Sequence, residues 1–159
     1  MLFLAILMAA GVFVFITSGT LPERVASHFG SSGAADSFMS RGVYMTFMIV
    51  FVVGLPLVMT VIMTLVFRGA TTSLNIPHRD YWLAPERRAE TVAFLTNHSM
   101  HFGTCLAVFF SYVHWIVVQA NLRQPAALSN SAIYAGAGLL LLAIALWTVW
   151  LLLAFRMPK

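Results

Sequence analysis

The sequence predicts an all-α membrane protein: four transmembrane helices in a bundle, with a cytoplasmic extension of the third helix. Two observations carry the prediction. First, 60% of the 159 residues are hydrophobic and 9% are charged, with a mean hydropathy of +0.89, whereas soluble domains are roughly half apolar and a quarter charged. Nine basic and five acidic side chains are too few to cover a water-facing core of this size. Second, residues 1–18, 43–67, 99–121 and 131–155 contain no Asp, Glu, Lys or Arg, and each is close to the roughly 17–25 residues a helix needs to cross the hydrocarbon core. No internal repeat interrupts the pattern, so residues 1–159 read as one domain.

The first helix, about 1–18, lacks the basic flank of a secretory signal and is expected to stay as a membrane helix. Residues 19–42 form a loop with Pro22, spaced glycines and Asp36, suited to shaped turns. The second helix, about 43–67, carries Gly54 and Pro56, which mark a kink. In the following segment, Asn75 to Trp82 is turn-rich and aromatic and is expected to lie along the headgroups as a connection. Pro85 followed by Glu86 reads as a helix start, with Arg87 and Glu90 a weak i, i+3 pair, so the third helix is expected over about 85–121, its membrane part at 99–121. The fourth helix covers about 131–155.

Sidedness follows from the basic residues. Arg68, Arg79, Arg87, Arg88, Arg156 and Lys159 fall on one side and Arg24, Arg41 and Arg123 on the other, so both termini are expected in the cytoplasm. Trp147 and Trp150 near the inner end and Tyr44 at the outer end read as aromatic anchors. The same scatter of cations, without a dense basic block, argues against a nucleic-acid partner.

On the third helix, Ser99, Gly103, Ala107 and Ser111 recur every fourth residue and form a small-residue stripe for close helix packing, within the bundle or against another subunit. Ala132 and Gly136 repeat the spacing on the fourth.

Chemistry has few places to reside. The spans hold no ionisable carboxylate or cation of the kind ion-coupled transporters use, and there is no nucleotide-binding glycine loop, nucleophile elbow or paired-histidine zinc motif. The chain therefore reads as non-enzymatic, with no cofactor expected. The alternative is a metal- or haem-binding membrane protein: His98, His101 and Cys105 stand at i, i+3, i+7 on one helix face with His78 and Asp80 nearby, against the plainer reading of interfacial histidines satisfied by water or backbone carbonyls. As the single cysteine, Cys105 excludes an internal disulfide. At the outer end, His114 is expected to meet the first loop, with His28, Asp36 and Arg41 forming either a hydrogen-bonded latch that seals the bundle or a ligand site; the latch is the commoner use of such groups.

Leu21-Pro22, then Ser27-His28-Phe29, then Gly33 and Asp36, set between two hydrophobic helices, resembles the N-terminal domain of unknown function of bacterial SdpI-like membrane proteins over about the first 60 residues. Asn75 to Arg88 and His114-Trp115 are similar to a small four-helix branch of that group. The resemblance implies a sensing or immunity component, since the characterised members protect a producing cell from its own secreted toxin and signal toxin binding to a regulator. It marks His28, Gly33 and Asp36 as motif residues without a catalytic role. Expected partners are the lipid bilayer, other membrane protein subunits of a complex that the chain would serve as a small accessory subunit, or a secreted peptide.

Overall fold

The computed structural model describes residues 1–69 and 74–156. Lys159, one of the cations used to assign sidedness, lies outside them. The chain forms α1 (Leu2–Ser18), a hairpin of β1 (Arg24–Phe29) and β2 (Ala35–Ser40), α2 (Arg41–Ile49), a π-helical turn (Val50–Gly54), α3 (Leu55–Gly69), the short α4 (Arg79–Trp82), α5 (Arg88–Asn121) and α6 (Asn130–Ala154). Among the described residues, three helices are long and apolar enough to cross a membrane: the continuous Arg41–Gly69, Arg88–Asn121 and Asn130–Ala154. The apolar α1 has 17 residues, about 26 Å at 1.5 Å per residue, short of a hydrocarbon core of roughly 30 Å.

α5 is the axle. Its small residues admit α1 on one side and α3 on the other. A side chain at Gly103 would collide with the Thr60 hydroxyl and come within 2.9 Å of the Phe3 ring. Ala107 is fully buried in a cluster with Phe3 and Leu7. Ser99 takes two bonds from α3: its carbonyl accepts from the Thr60 hydroxyl at 3.3 Å, and its own hydroxyl lies 3.2 Å from that of Thr64. Ser111 turns inward on its own helix and donates to the Ala107 carbonyl. α6 packs chiefly on α5, and Gly136 is its one buried residue. Any larger side chain there would run into the Tyr112 ring, whose hydroxyl donates to the Ala132 carbonyl at 2.7 Å.

Where a kink was expected, the second span widens into the π turn. Proline has no N–H for the carbonyl four residues back, and its ring crowds that turn; directly before Pro56 the backbone bonds instead reach five residues, Leu55 N–H to the Val50 carbonyl. The helix continues without a break.

The loop at 19–42 departs most from expectation, because the all-α prediction omitted its hairpin. The strands pair antiparallel from Arg24–Ser40 to Phe29–Ala35, with register shifts on either side of the His28–Ser37 pair. A two-stranded hairpin is marginal alone. This one is held by the bundle, since Leu21, Val25 and Ala26 are buried against it. α5 begins at Arg88, three residues later than expected, because the Ala84 carbonyl takes both the Arg87 and Arg88 N–H groups in a turn containing Pro85 and Glu86. Arg87 makes no ion pair with Glu90; its guanidinium lies over the Tyr81 ring at 4.0 Å. The preceding connection is also more than an interfacial strap. Leu74, Leu95 and Phe155 form a small core, Trp82 donates its indole N–H to the Phe155 carbonyl at 3.0 Å, and Thr91 donates to the Trp82 carbonyl at 2.7 Å.

Candidate functional site

The hairpin end of the bundle gathers most of the polar side chains that make long-range contacts, in two layers. The inner layer centres on His114, fully buried although it sits in an apolar helix. Its Nδ1 is 2.9 Å from the Tyr44 hydroxyl on α2, and its Nε2 is 2.7 Å from the Thr17 hydroxyl on α1. Thr17 commits its only hydroxyl proton to the Phe13 carbonyl at 2.6 Å, so toward His114 its oxygen must accept. The imidazole therefore carries its proton on Nε2, and the Tyr44 hydroxyl donates to Nδ1. Every polar atom of the ring is satisfied while it remains neutral. The Phe13 ring meets it edge-on at 5.6 Å and the Tyr44 ring lies nearly parallel at 5.7 Å. Three helices are thus pinned by one side chain. The neighbouring Ser18 hydroxyl is buried and has no partner among the described residues.

The outer layer is the hairpin. His28 Nδ1 and Asp36 Oδ1 are 2.5 Å apart, the only ion pair among the described residues, on side chains 70% and 52% exposed. The register is irregular here: Ser27 has no partner on β2 and Asp36 none on β1, so His28 stands opposite Ser37 and reaches Asp36 as a diagonal neighbour. Gly33 forms the tip in a left-handed conformation, φ +81°, and a Cβ there would strike the Leu128 carbonyl. That approach lets the Leu128 N–H bond the Gly33 carbonyl at 2.8 Å, while Asn130 donates to the Ser31 carbonyl at 2.7 Å. The α5–α6 loop is thereby stitched to the hairpin tip.

The layers are joined by a residue that sequence reasoning missed. Asn121, the last residue of α5, accepts from the Ala26 N–H at 2.8 Å and donates to the Ala26 carbonyl at 3.0 Å, and also donates to the Val117 carbonyl. Its amide does for the open edge of β1 what a third strand would do. A lone Asn at the end of the charge-free span 99–121 was the available signal.

The expected latch is therefore distributed differently. His28 and Asp36 pair with each other on the exposed hairpin, His114 pairs with Thr17 and Tyr44 inside the bundle, and no bond joins the two sets. Arg41 joins neither; it donates to the carbonyls of Leu21 at 3.0 Å and Gly19 at 3.5 Å, fastening the start of α2 to the chain leaving α1.

At the other end, His98 is buried, with Nδ1 donating to the Phe94 carbonyl at 2.7 Å and its ring stacked on Trp150 at 4.5 Å. The His101 ring stands 5.5 Å from it, and Cys105 is exposed. Among the described residues no group of three His, Cys, Asp or Glu side chains could hold a metal ion, so His98, His101 and Cys105 do not assemble the donor set their spacing allowed.

No curated protein and no solved structure matches the chain. Residues 3–60, running from α1 through the hairpin into α3 and stopping short of both His114 and Asn121, match the family described as a domain of unknown function, DUF1648.

Proposed function

We propose that this is a non-enzymatic protein of a bacterial inner membrane, with both termini cytoplasmic and α1 as the fourth span. On this reading it is an SdpI-like sensing or immunity component that meets a secreted peptide with its outer hairpin. The observation that carries the reading is the two-bond clasp of Asn121 on Ala26. It fastens an exposed, polar hairpin to the end of a 34-residue helix that is about 51 Å long and so outreaches a core of roughly 30 Å. A contact that moves the hairpin pulls on a rigid element emerging on the far side of the membrane. For α1 as a span, support comes from its charge-free sequence and its packing along α5 from the level of Gly103 to that of His114.

Two measurements test this. In a Cys105→Ser background, an impermeant thiol reagent on intact cells should label Ser32→Cys and spare Asn75→Cys; the reverse would refute the orientation. A mild-detergent pull-down with quantitative mass spectrometry should then show a stoichiometric partner lost from Asp36→Ala at unchanged thermal stability, and an unaltered partner set would refute sensing by the hairpin. A second reading, a small accessory subunit of a membrane complex, draws on α6, which buries only Gly136 and leaves an apolar face for lipid or a partner helix.

A further inference from the structure

The α5–α6 interface is closed at its two ends and open between them. Toward the Arg88 end, His98 stacks on Trp150 at 4.5 Å and Phe102 meets Trp147 at 5.7 Å. Toward the hairpin end, Tyr112 abuts Gly136 and bonds the Ala132 carbonyl. Between these contacts the helices leave an apolar slot of about 370 Å³, with Cys105 and Val108 on one wall and Leu140 and Ala143 on the other. Beyond Tyr112 the same interface opens again into a pocket of about 190 Å³ whose lining is different: Trp115 and Ile116, then Gln119, Arg123 and Ser129. The lining of both sections follows one face of α5, through Cys105, Val108, Tyr112, Ile116, Gln119 and Arg123 at steps of three or four residues, so they form one shallow surface groove that passes over the half-buried Tyr112, apolar at one end and edged by polar groups at the other.

Its dimensions and chemistry match a single molecule. From Ile116 to Cys105 the helix advances 11 residues, about 17 Å, against the roughly 15 Å depth of one leaflet of hydrocarbon. The polar end begins at Trp115, an interfacial residue type, and holds the guanidinium of Arg123, which has no ion-pair partner among the described residues, beside an amide and a hydroxyl. Those groups suit one phosphodiester. A helix from another chain, about 10 Å across, would not enter a slot pinched by aromatic contacts at both ends.

We propose that the α5–α6 groove binds one glycerophospholipid, its phosphate held by Arg123 with Gln119 and Ser129 and one acyl chain lying in the slot beside Cys105 and Ala143. The lipid completes the packing of α6, whose main helix neighbour is α5 and which buries only Gly136. The inference depends on the protein spanning a bilayer and is independent of what the hairpin senses.

The test is native mass spectrometry of the full chain after delipidation, titrated with palmitoyl-oleoyl phosphatidylglycerol and, separately, with the diacylglycerol bearing the same chains. Wild type should take one phosphatidylglycerol about tenfold more tightly than the diacylglycerol, the increment of one charge-assisted hydrogen bond. Arg123→Gln, an exposed change, should remove that preference, and Arg24→Gln should leave it intact. Ala143→Trp, which fills the slot, should weaken both ligands; if it does not elute as a monodisperse species, Val108→Phe serves. Equal binding of the two ligands by wild type, an unchanged preference in Arg123→Gln, or unchanged binding with the slot filled would each overturn the proposal.

Discussion

Replacing Asn121 isolates the contact between hairpin and helix. In Asn121→Ala the Ala26 N–H and carbonyl lose their bonds of 2.8 and 3.0 Å, and Ala26 is fully buried. A buried backbone group left unpaired costs about 1–3 kcal/mol. Two such groups give about 2–3 kcal/mol here, at the low end of the sum because the half-buried Asn121 site lets water in once its amide is gone. The hairpin should therefore open about thirtyfold more often or beyond, at 1.4 kcal/mol per factor of ten. Asn121→Asp separates the two bonds: it keeps the acceptor for the Ala26 N–H, loses both donated bonds and sets a carboxylate against two carbonyl oxygens at a helix C-terminus. Hydrogen exchange of the 24–30 segment in detergent or nanodiscs reads this directly. Both variants should speed exchange there, with the Ala26 amide itself better protected in Asp than in Ala, and Leu122→Ala, an exposed neighbour, should leave it unchanged. If exchange of the hairpin changes less than about threefold in Asn121→Ala, the clasp does not hold the hairpin, and the coupling of hairpin to α5 argued above fails with it.

Three further outcomes are expected. Gly103→Ala should destabilise the bundle by about 1–3 kcal/mol by overpacking against Thr60 and Phe3, while Gly138→Ala, which meets nothing within 4 Å, should be neutral or slightly stabilising; thermal unfolding in one detergent compares them. Gly33→Ala should cost about 1–3 kcal/mol through its left-handed backbone and the Leu128 carbonyl, with faster amide exchange at Leu128 as the local signature. In double-mutant cycles on thermal stability, His28→Ala and His114→Ala should add within about 0.5 kcal/mol because they share no partner, whereas Tyr44→Phe and His114→Ala should fall short of their sum.

The helices were legible because the bilayer makes charge the deciding variable. The four stretches free of Asp, Glu, Lys and Arg contain the apolar parts of α1, α2 with α3, α5 and α6. The hairpin was not, because neither Arg24–Phe29 nor Ala35–Ser40 carries an alternating apolar pattern of its own; burial of Val25 and Ala26 against helices distant in sequence supplies what the strands lack. His28, Asp36 and His114 stood out by residue type, yet their partners did not. His28 and Asp36 stand eight residues apart in one loop, while His114 lies 97 residues from Thr17 and 70 from Tyr44, separations that no local spacing encodes. Tyr44 was read as an interfacial anchor for the same reason. The helix start near Pro85 was misplaced because a proline suited to a first helical turn also suits the turn preceding one.

The π turn at Val50–Gly54 sets the phase of everything after it. Upstream the inward residues are Tyr44, Met48 and Val52, and downstream they are Pro56 and Thr60, at unbroken steps of four. A straight α-helix advances about 100° per residue, so four residues overshoot one turn by about 40°, and the error accumulates with each step. A wider turn absorbs part of that error in one place, much as an intercalary day keeps a calendar aligned with the seasons. Adding one more residue to this already widened segment would turn all of α3 by about 100° and carry Thr60 away from Gly103, although no contact residue had been altered. Length, in this stretch, is as much a part of the sequence's information as identity.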